Sequence, residues 1–309
     1  MLTADQAATF HREGYLVVEN LFSDADLQPM IDQLNAEIDY RARKLVECGE
    51  LSRTYEEEGF ETRLARITAE TDKIYWDIDS GRLAGPGIFS VLTNTKLVDV
   101  AESLVGPEII ASSVYRLRIK MPGFWHGLVP WHQDSGYFEP YCDRALILTV
   151  WIPMVDATVE RGCLQVIPRA HTGGIYRHAP NSRHMKYLEI LPQDLPQGRI
   201  VNVPMRKGGV LLMTNRTPHQ SLPNCSAVIR WSADLRFQSA ELPTNFRTET
   251  GVPFREARNS EEPLACYPPE ADFLVRSKRT PDEVVKDWRR FTELRSRHEQ
   301  TPVTARWDS

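Results

Sequence analysis

From about residue 109 the chain breaks into short runs rich in β-branched residues. They read "IIASSVYRLRIKM", "RALILTVWIPM", "GCLQVIP", "GRIVNVP", "GGVLLMTN" and "AVIRWSADLRFQ", with Pro, Gly and Asn turns between them. Many short strands with no helical pattern between them predict an antiparallel sandwich or barrel. The flanks are different. "LTADQAATFHREG" predicts a helix ended by Gly14, followed by a strand in "YLVVENL". "SDADLQPMIDQLNAEIDYRARKLVE" has apolar residues at helical spacing and Ser23 placed as N-cap, so it predicts an amphipathic helix. "TPDEVVKDWRRFTELRSRHEQ" predicts a C-terminal helix beginning near Pro281. Residues 47–90, charged and glycine-bearing, have no clear periodicity and are long enough to form a lid. The expected organisation is one domain over 1–309, mainly β with helical covers. It has a helical N-terminal part and lid over about 1–108, a β core over about 109–240, and a C-terminal extension with a helix over about 241–309.

Bulk properties narrow the class. A net charge of −5 gives no support for nucleic-acid binding. No apolar run is long enough to span a bilayer, and the first residues lack the basic start and apolar stretch of a secretory signal. The five cysteines (Cys48, Cys142, Cys163, Cys225 and Cys266) are odd in number, far apart and without a CxxC pair. That argues against a disulfide framework or a cysteine zinc site. A cytoplasmic protein is expected, with Cys142, Cys163 and Cys225 as small buried apolar residues.

Chemistry enters at "VPWHQDSGYF", residues 129–138. In a strand, residues i and i+2 share a face, so His132 and Asp134 would point at one spot as two candidate metal ligands. A third should come from another strand, and "MTNRTPHQSLPN" offers His219 between two strand-like runs. Two histidines and one carboxylate on a single metal leave about three of six positions open, the facial arrangement of non-haem iron oxygenases. Arg230 lies eleven residues after His219, and Ser221 two after it. An arginine fork suits bidentate recognition of a carboxylate, and a serine hydroxyl beside it adds a hydrogen bond.

The HxD at His132/Asp134, the distal His219, Ser221 and Arg230 together resemble the phytanoyl-CoA dioxygenase family of Fe(II)/2-oxoglutarate oxygenases. "FHREGYLVVENLFSDADL" resembles the family's N-terminal segment, and "ERGCLQVIPRAHTGG" its NGCL-x-hydrophobic-P-x-SH stretch, with Ala170 where Ser is common before His171. The resemblance runs from about residue 3 to 240. It implies a double-stranded β-helix, the cupin-like jelly roll. It also implies roles: His132, Asp134 and His219 on iron, and Arg230 and Ser221 on the far carboxylate of 2-oxoglutarate. Lys120, Thr149 and Trp151 are assigned to the co-substrate with them, and Tyr137 and Phe138 to a substrate wall. O2 is the oxidant, a small molecule the substrate, and succinate and CO2 are released. An aspartate at 134, where related halogenases carry a small residue, favours hydroxylation, desaturation or another oxidation.

Arg161, Arg169, Arg177, Arg183 and Lys186 form a block without acids between residues 161 and 188. It suits a solvated loop balanced by acids from 37–61, or, with Arg177 and Arg183, a device that draws in an anionic substrate. Two other classes stay open on the residues alone. One is a cupin-type zinc or nickel hydrolase or isomerase, in which Arg230 and Ser221 would have no co-substrate to grip. The other is a non-catalytic metabolite-binding sandwich, which would not need all three ligands.

Overall fold

A computed structural model describes residues 1–79, 83–123, 127–181, 187–243, 272–296 and 307. Helix α1 (Ala4–Glu13) opens with a capping box. Thr3 Oγ1 accepts from Gln6 N at 3.2 Å, and Thr3 N donates to Gln6 Oε1 at 2.9 Å. It ends at Gly14, at φ 82°, whose N–H returns to Phe10 O. Only glycine suits this position. The φ is left-handed, and an added Cβ would stand 2.4 Å from His171 Nδ1. The Gly14 carbonyl then accepts from Thr214 N and Thr217 Oγ1, which ties the turn to strand β8 (Val210–Thr214).

Helix α2 (Asp24–Glu47) begins where Ser23 was expected to cap it. The Ser23 N–H and hydroxyl both donate to Asp26 Oδ2. Leu27, Met30, Ile31, Leu34, Ile38 and Ala42 form its buried stripe. The described residues of 47–90 are no separate cover. They hold helices α3 (Arg63–Thr68), α4 (Lys73–Asp79) and the start of α5 (Pro86–Leu92). Leu51, Leu64, Ile67, Ile74, Tyr75 and Ile78 from this region are buried in the main core. Helix α5 lies close against α2 because Gly87 has no Cβ; one would meet Pro29 O at 2.4 Å. Helix α6 (Thr95–Val105), capped by Asn94, leads into the β core.

Strands β1 (Tyr15–Val18), β2 (Ile109–Lys120), β3 (Leu148–Pro153), β8, β10 (Arg230–Ser239) and β11 (Phe273–Arg276) form a six-stranded antiparallel sheet, ordered β1-β8-β3-β10-β2-β11. A second sheet faces it, ordered β7 (Val201–Val203), β4 (Leu164–Val166), β9 (His219–Ser221). Strands β5 (His178–Pro180) and β6 (Leu188–Ile190) pair separately. The antiparallel two-sheet core with helical covers is the jelly roll that was expected.

Period-two alternation sorts the large sheet into two faces. On β10, Trp231, Ala233, Leu235 and Phe237 join Leu148, Val150 and Ile152 of β3 in one cluster with the helices. Each fully buried large apolar side chain contributes about 1.5–3 kcal/mol. The opposite face of β10 carries Arg230, Ser232, Asp234 and Arg236, all buried between the sheets. One end of that interior is apolar, filled by Trp151, Leu164, Val166, Val203, Leu211 and Met213. The other end is polar.

Two local expectations change. His132 and Asp134 do not share a strand: His132 sits in an isolated bridge, and Asp134 starts a 3-10 turn (Asp134–Tyr137). The C-terminal helix α7 spans Trp288–Ser296, because Pro281–Glu283 closes as a separate 3-10 turn instead of starting it. Arg183, Lys186 and Cys266 lie outside the described residues.

Candidate active site

His132 and His219 are brought together by backbone pairing. His132 N donates to His219 O at 3.0 Å, and His219 N to His132 O at 2.9 Å. Directly opposite residues in an antiparallel bridge project on the same side, and the two ring centroids are 4.2 Å apart. Each ring is also oriented through its Nδ1, which lies 2.8 Å from Pro130 O in His132 and 2.9 Å from Thr217 O in His219. A carbonyl only accepts, so both Nδ1 atoms carry the proton and both Nε2 lone pairs are left to face a metal. Burial and the neighbouring His219 hold the His132 pKa well below 6.5, which keeps it a neutral ligand.

Asp134 completes the set. Its Oδ1 lies 3.7 Å from His132 Nε2 and accepts from Arg236 Nη2 at 2.7 Å, while Oδ2 accepts from the Thr149 hydroxyl. Burial alone would push this carboxyl up. The Arg236 guanidinium and the two imidazoles outweigh it and hold Asp134 below the usual carboxylate range. Ligand atoms of His132, Asp134 and His219 lie within 4.8 Å of one another, and all three residues are buried. Two imidazoles that present Nε2 and a carboxylate are the donor set of a divalent transition metal such as iron.

The same cavity is lined by Arg230, Lys120, Ser221, Trp151 and Thr149, together with the triad histidines. Arg230 and Lys120 are each only 2% exposed. They are cross-strand neighbours on β10 and β2. Lys120 Nζ donates to Ser221 Oγ at 2.7 Å, and Val129 N donates to the same oxygen at 3.1 Å. With two donors on its oxygen, the serine hydroxyl hydrogen remains for a further acceptor. Arg230 lies over Trp151, 5.3 Å from the ring centroid, and its buried Nε has no partner. Burial, with Arg118 nearby and Asp234 opposing, brings the Arg230 pKa down to about 10. Burial, Arg230 and Arg118 bring Lys120 well below 10.5. Two buried cations and a spare hydroxyl make a receptor for a carboxylate.

Other expected residues fall elsewhere. Thr149 lines the cavity, but its hydroxyl is given to Asp134. Phe138 packs with Cys142 and Ile147 and does not line the cavity. Tyr137 meets His132 edge-on at 5.8 Å, and its hydroxyl accepts from Leu188 N at 2.8 Å, so it braces a ligand and β6 instead of forming a wall. Burial raises its pKa. Arg177 is exposed and away from the cavity. Within the basic block, Arg161 pairs with Glu61 and Arg169 with Glu13, and the Arg169 and Arg12 contacts bring Glu13 down to about 2. His171 is structural, its Nε2 3.1 Å from His11 O. Cys142 and Cys163 are buried as expected; Cys225 is exposed.

Arg236, Arg118 and Asp234 were not anticipated. Arg118 Nε donates to Asp234 Oδ2 at 2.9 Å, and both line the cavity. The signal was the alternation in "RWSADLRFQ", in which Arg230, Ser232, Asp234 and Arg236 must share one face.

A family model for phytanoyl-CoA dioxygenase (PhyH) matches residues 10–232. A phytanoyl-CoA dioxygenase of Arabidopsis thaliana is 24% identical over 277 residues, covering 78% of this chain and 95% of that one. Among solved structures, the non-heme monooxygenase ThoJ in its apo form superposes with TM-score 0.58 at 18% identity, covering 95% of this chain and 96% of the other. The epimerase SnoN, solved with Fe3+, alpha ketoglutarate and nogalamycin RO, gives TM-score 0.51 at 21% identity, covering 88% and 98%. The family match over most of the chain accords with the His–Asp–His cluster found between the sheets: this chain belongs to the phytanoyl-CoA dioxygenase family, and with it to the 2-oxoglutarate-dependent non-haem iron oxygenases.

Proposed function

We propose that this chain hydroxylates an unactivated C–H bond of a small molecule, with 2-oxoglutarate and O2 consumed and succinate and CO2 released. The observation that carries this is a cavity lined by His132 and His219 of the His132–Asp134–His219 cluster and by a buried Arg230–Lys120–Ser221 group, whose neighbouring carboxylate, Asp234, is already paired with Arg118. A dicarboxylate can reach both. Held by His132, Asp134 and His219, iron would supply the oxidative chemistry of 2-oxoglutarate and O2, which carries one oxygen atom into the substrate.

The residues of the chain do the rest. Nδ1–H bonds to Pro130 and Thr217 hold both imidazoles in the tautomer that ligates. Arg230 offers its unpartnered Nε–H and its positive charge to the far carboxylate, its Nη atoms being held by Ser232 Oγ and Gly162 O, and Ser221 adds its hydroxyl hydrogen. Lys120 supplies a second positive charge at the same end. Trp151 and the apolar cluster behind it close the cavity on one side and keep water from it. A zinc hydrolase or a passive binding module would have no use for a buried arginine and lysine beside the metal cluster. No described helix is long and apolar enough to cross a membrane. The free thiols of Cys48, Cys142, Cys163 and Cys225 support a reducing, cytoplasmic setting.

The test is succinate release with Fe(II), ascorbate and 2-oxoglutarate against a pooled library of anionic and neutral metabolites. A compound that raises succinate above the uncoupled background, and is recovered one oxygen atom heavier, establishes the reaction and names the substrate. Iron-loaded protein that neither binds 2-oxoglutarate nor turns over any compound overturns the proposal.

A further inference from the structure

Asp134 is held by two donors that are themselves a pair. Arg236 on β10 and Thr149 on β3 stand directly opposite each other in the ladder between those strands. Arg236 Nη2 donates to Oδ1 at 2.7 Å, and the Thr149 hydroxyl donates to Oδ2. All three side chains are buried, so the grip is neither screened nor shared with solvent. It comes from the floor of the large sheet, whereas His132 and His219 approach from the side of the small one. The consequence is asymmetric. Oδ1 is left beside the imidazoles, 3.7 Å from His132 Nε2, while Oδ2 is turned to β3.

A carboxylate can bind a metal through one oxygen or chelate it through both. With two imidazoles, one oxygen leaves about three of six positions free, whereas chelation leaves two. A co-substrate that binds through two atoms, plus O2, requires all three. Chelation would require Oδ2 to leave Thr149 and swing toward the histidines, against two hydrogen bonds anchored on adjacent strands. Charge works in the same direction. Arg236 neutralises the carboxylate, and a less basic carboxylate has less tendency to take a second metal contact.

Resting on the function proposed above, we infer that Arg236 and Thr149 are positioning residues that restrict Asp134 to one-oxygen ligation and so preserve the open coordination position the reaction needs.

The test uses the full chain loaded with Co(II), whose visible absorption reports coordination number. It reads Co(II) affinity, the Co(II) spectrum and 2-oxoglutarate affinity. Thr149→Val, isosteric apart from the hydroxyl, is expected to change the Co(II) spectrum and to weaken 2-oxoglutarate binding about 10–100-fold, the range for outer-shell partners of metal ligands. Thr149→Ser restores both. Arg236→Met is expected to lower Co(II) affinity about 10–100-fold, with partial recovery in Arg236→Lys. Should Arg236→Met fail to fold, Thr149→Val against Thr149→Ser still decides. A wild-type spectrum and wild-type 2-oxoglutarate affinity in Thr149→Val overturn this inference alone. Wild-type protein that takes up Co(II) but no 2-oxoglutarate overturns the proposed function, and this inference with it.

Discussion

His132 and His219 exchange both backbone hydrogen bonds, at 3.0 and 2.9 Å, in a bridge that joins the start of β9 to a residue outside any strand. Far apart in sequence, they are locked ring beside ring by the backbone itself. The backbone pairing by itself therefore sets the two imidazoles side by side. Because Pro130 O and Thr217 O hold the Nδ1 protons, replacing either histidine removes a ligand without freeing a substitute. His132→Ala and His219→Ala are each expected to abolish substrate-coupled succinate formation while leaving the fold intact. Succinate assays beside circular dichroism check this, and full turnover in either variant would remove it from the ligand set.

Arg230 and Ser221 are expected to act on 2-oxoglutarate and not on the metal. Truncating one member of a buried charge pair costs about 2–5 kcal/mol, so Arg230→Ala should raise the KM for 2-oxoglutarate by roughly 30-fold or more. Arg230→Lys rescues poorly, because a point charge cannot replace the fork. Ser221→Ala loses a hydrogen bond to a charged group, about 1.5–3 kcal/mol. Kinetics against 2-oxoglutarate, paired with Co(II) affinity as the unchanged control, decide the matter.

Lys120 is expected to make 2-oxoglutarate binding at the proposed site sensitive to pH. Burial beside Arg230 and Arg118 sets its pKa in the fold well below 10.5. Its charged form attracts the dianion, so 2-oxoglutarate affinity should fall as pH rises through that lowered value, and binding there should take up a proton. Stability runs the other way. Between the lowered value and 10.5 the unfolded chain holds a proton that the fold has released, so stability rises with pH across that window. Calorimetry in buffers of different ionisation enthalpy, and urea unfolding across pH, check both signs. Lys120→Met should flatten both dependences.

Trp231 joins the large sheet to the segment before α3. It is fully buried, stacks on Phe60 at 4.8 Å and donates from Nε1 to Phe60 O at 3.0 Å. Trp231→Ala is expected to cost about 3–5 kcal/mol. Trp231→Phe, which keeps the stack but strands the carbonyl, should cost about 1–3 kcal/mol. The urea midpoint measures each. A change below 1 kcal/mol in Trp231→Ala would show that residues 47–90 are not integral to the core.

Much of this architecture was legible in the sequence, for reasons that differ by element. Helix α1 carries a terminal glycine, and α2 a cap and a full amphipathic stripe. The strands announce themselves by β-branched runs between turn residues. The triad, Arg230 and Ser221 were legible through residue type and family resemblance. Helices α3, α4 and α5, of six or seven residues each, are too short to show a period, and tertiary packing stabilises them. Arg236 was legible in principle, since it alternates with Arg230. Choosing that face as the inner one requires knowing that Trp231, Leu235 and Phe237 meet the helices. Phe138 was assigned to a substrate wall through the family resemblance, and beyond the 3-10 turn from Asp134 it packs in a small core with Cys142 and Ile147 instead.

One cavity is proposed to hold both a metal at His132, Asp134 and His219 and a dicarboxylate between that metal and Arg230. The most direct measurement is anaerobic: Fe(II) is added to the protein, then 2-oxoglutarate, while the visible spectrum is recorded. Chelation of iron by 2-oxoglutarate is expected to produce a weak charge-transfer band that saturates at one equivalent, is lost in Asp134→Ala and needs far more co-substrate in Arg230→Ala. Iron that binds without any such band, at any 2-oxoglutarate concentration, would contradict it.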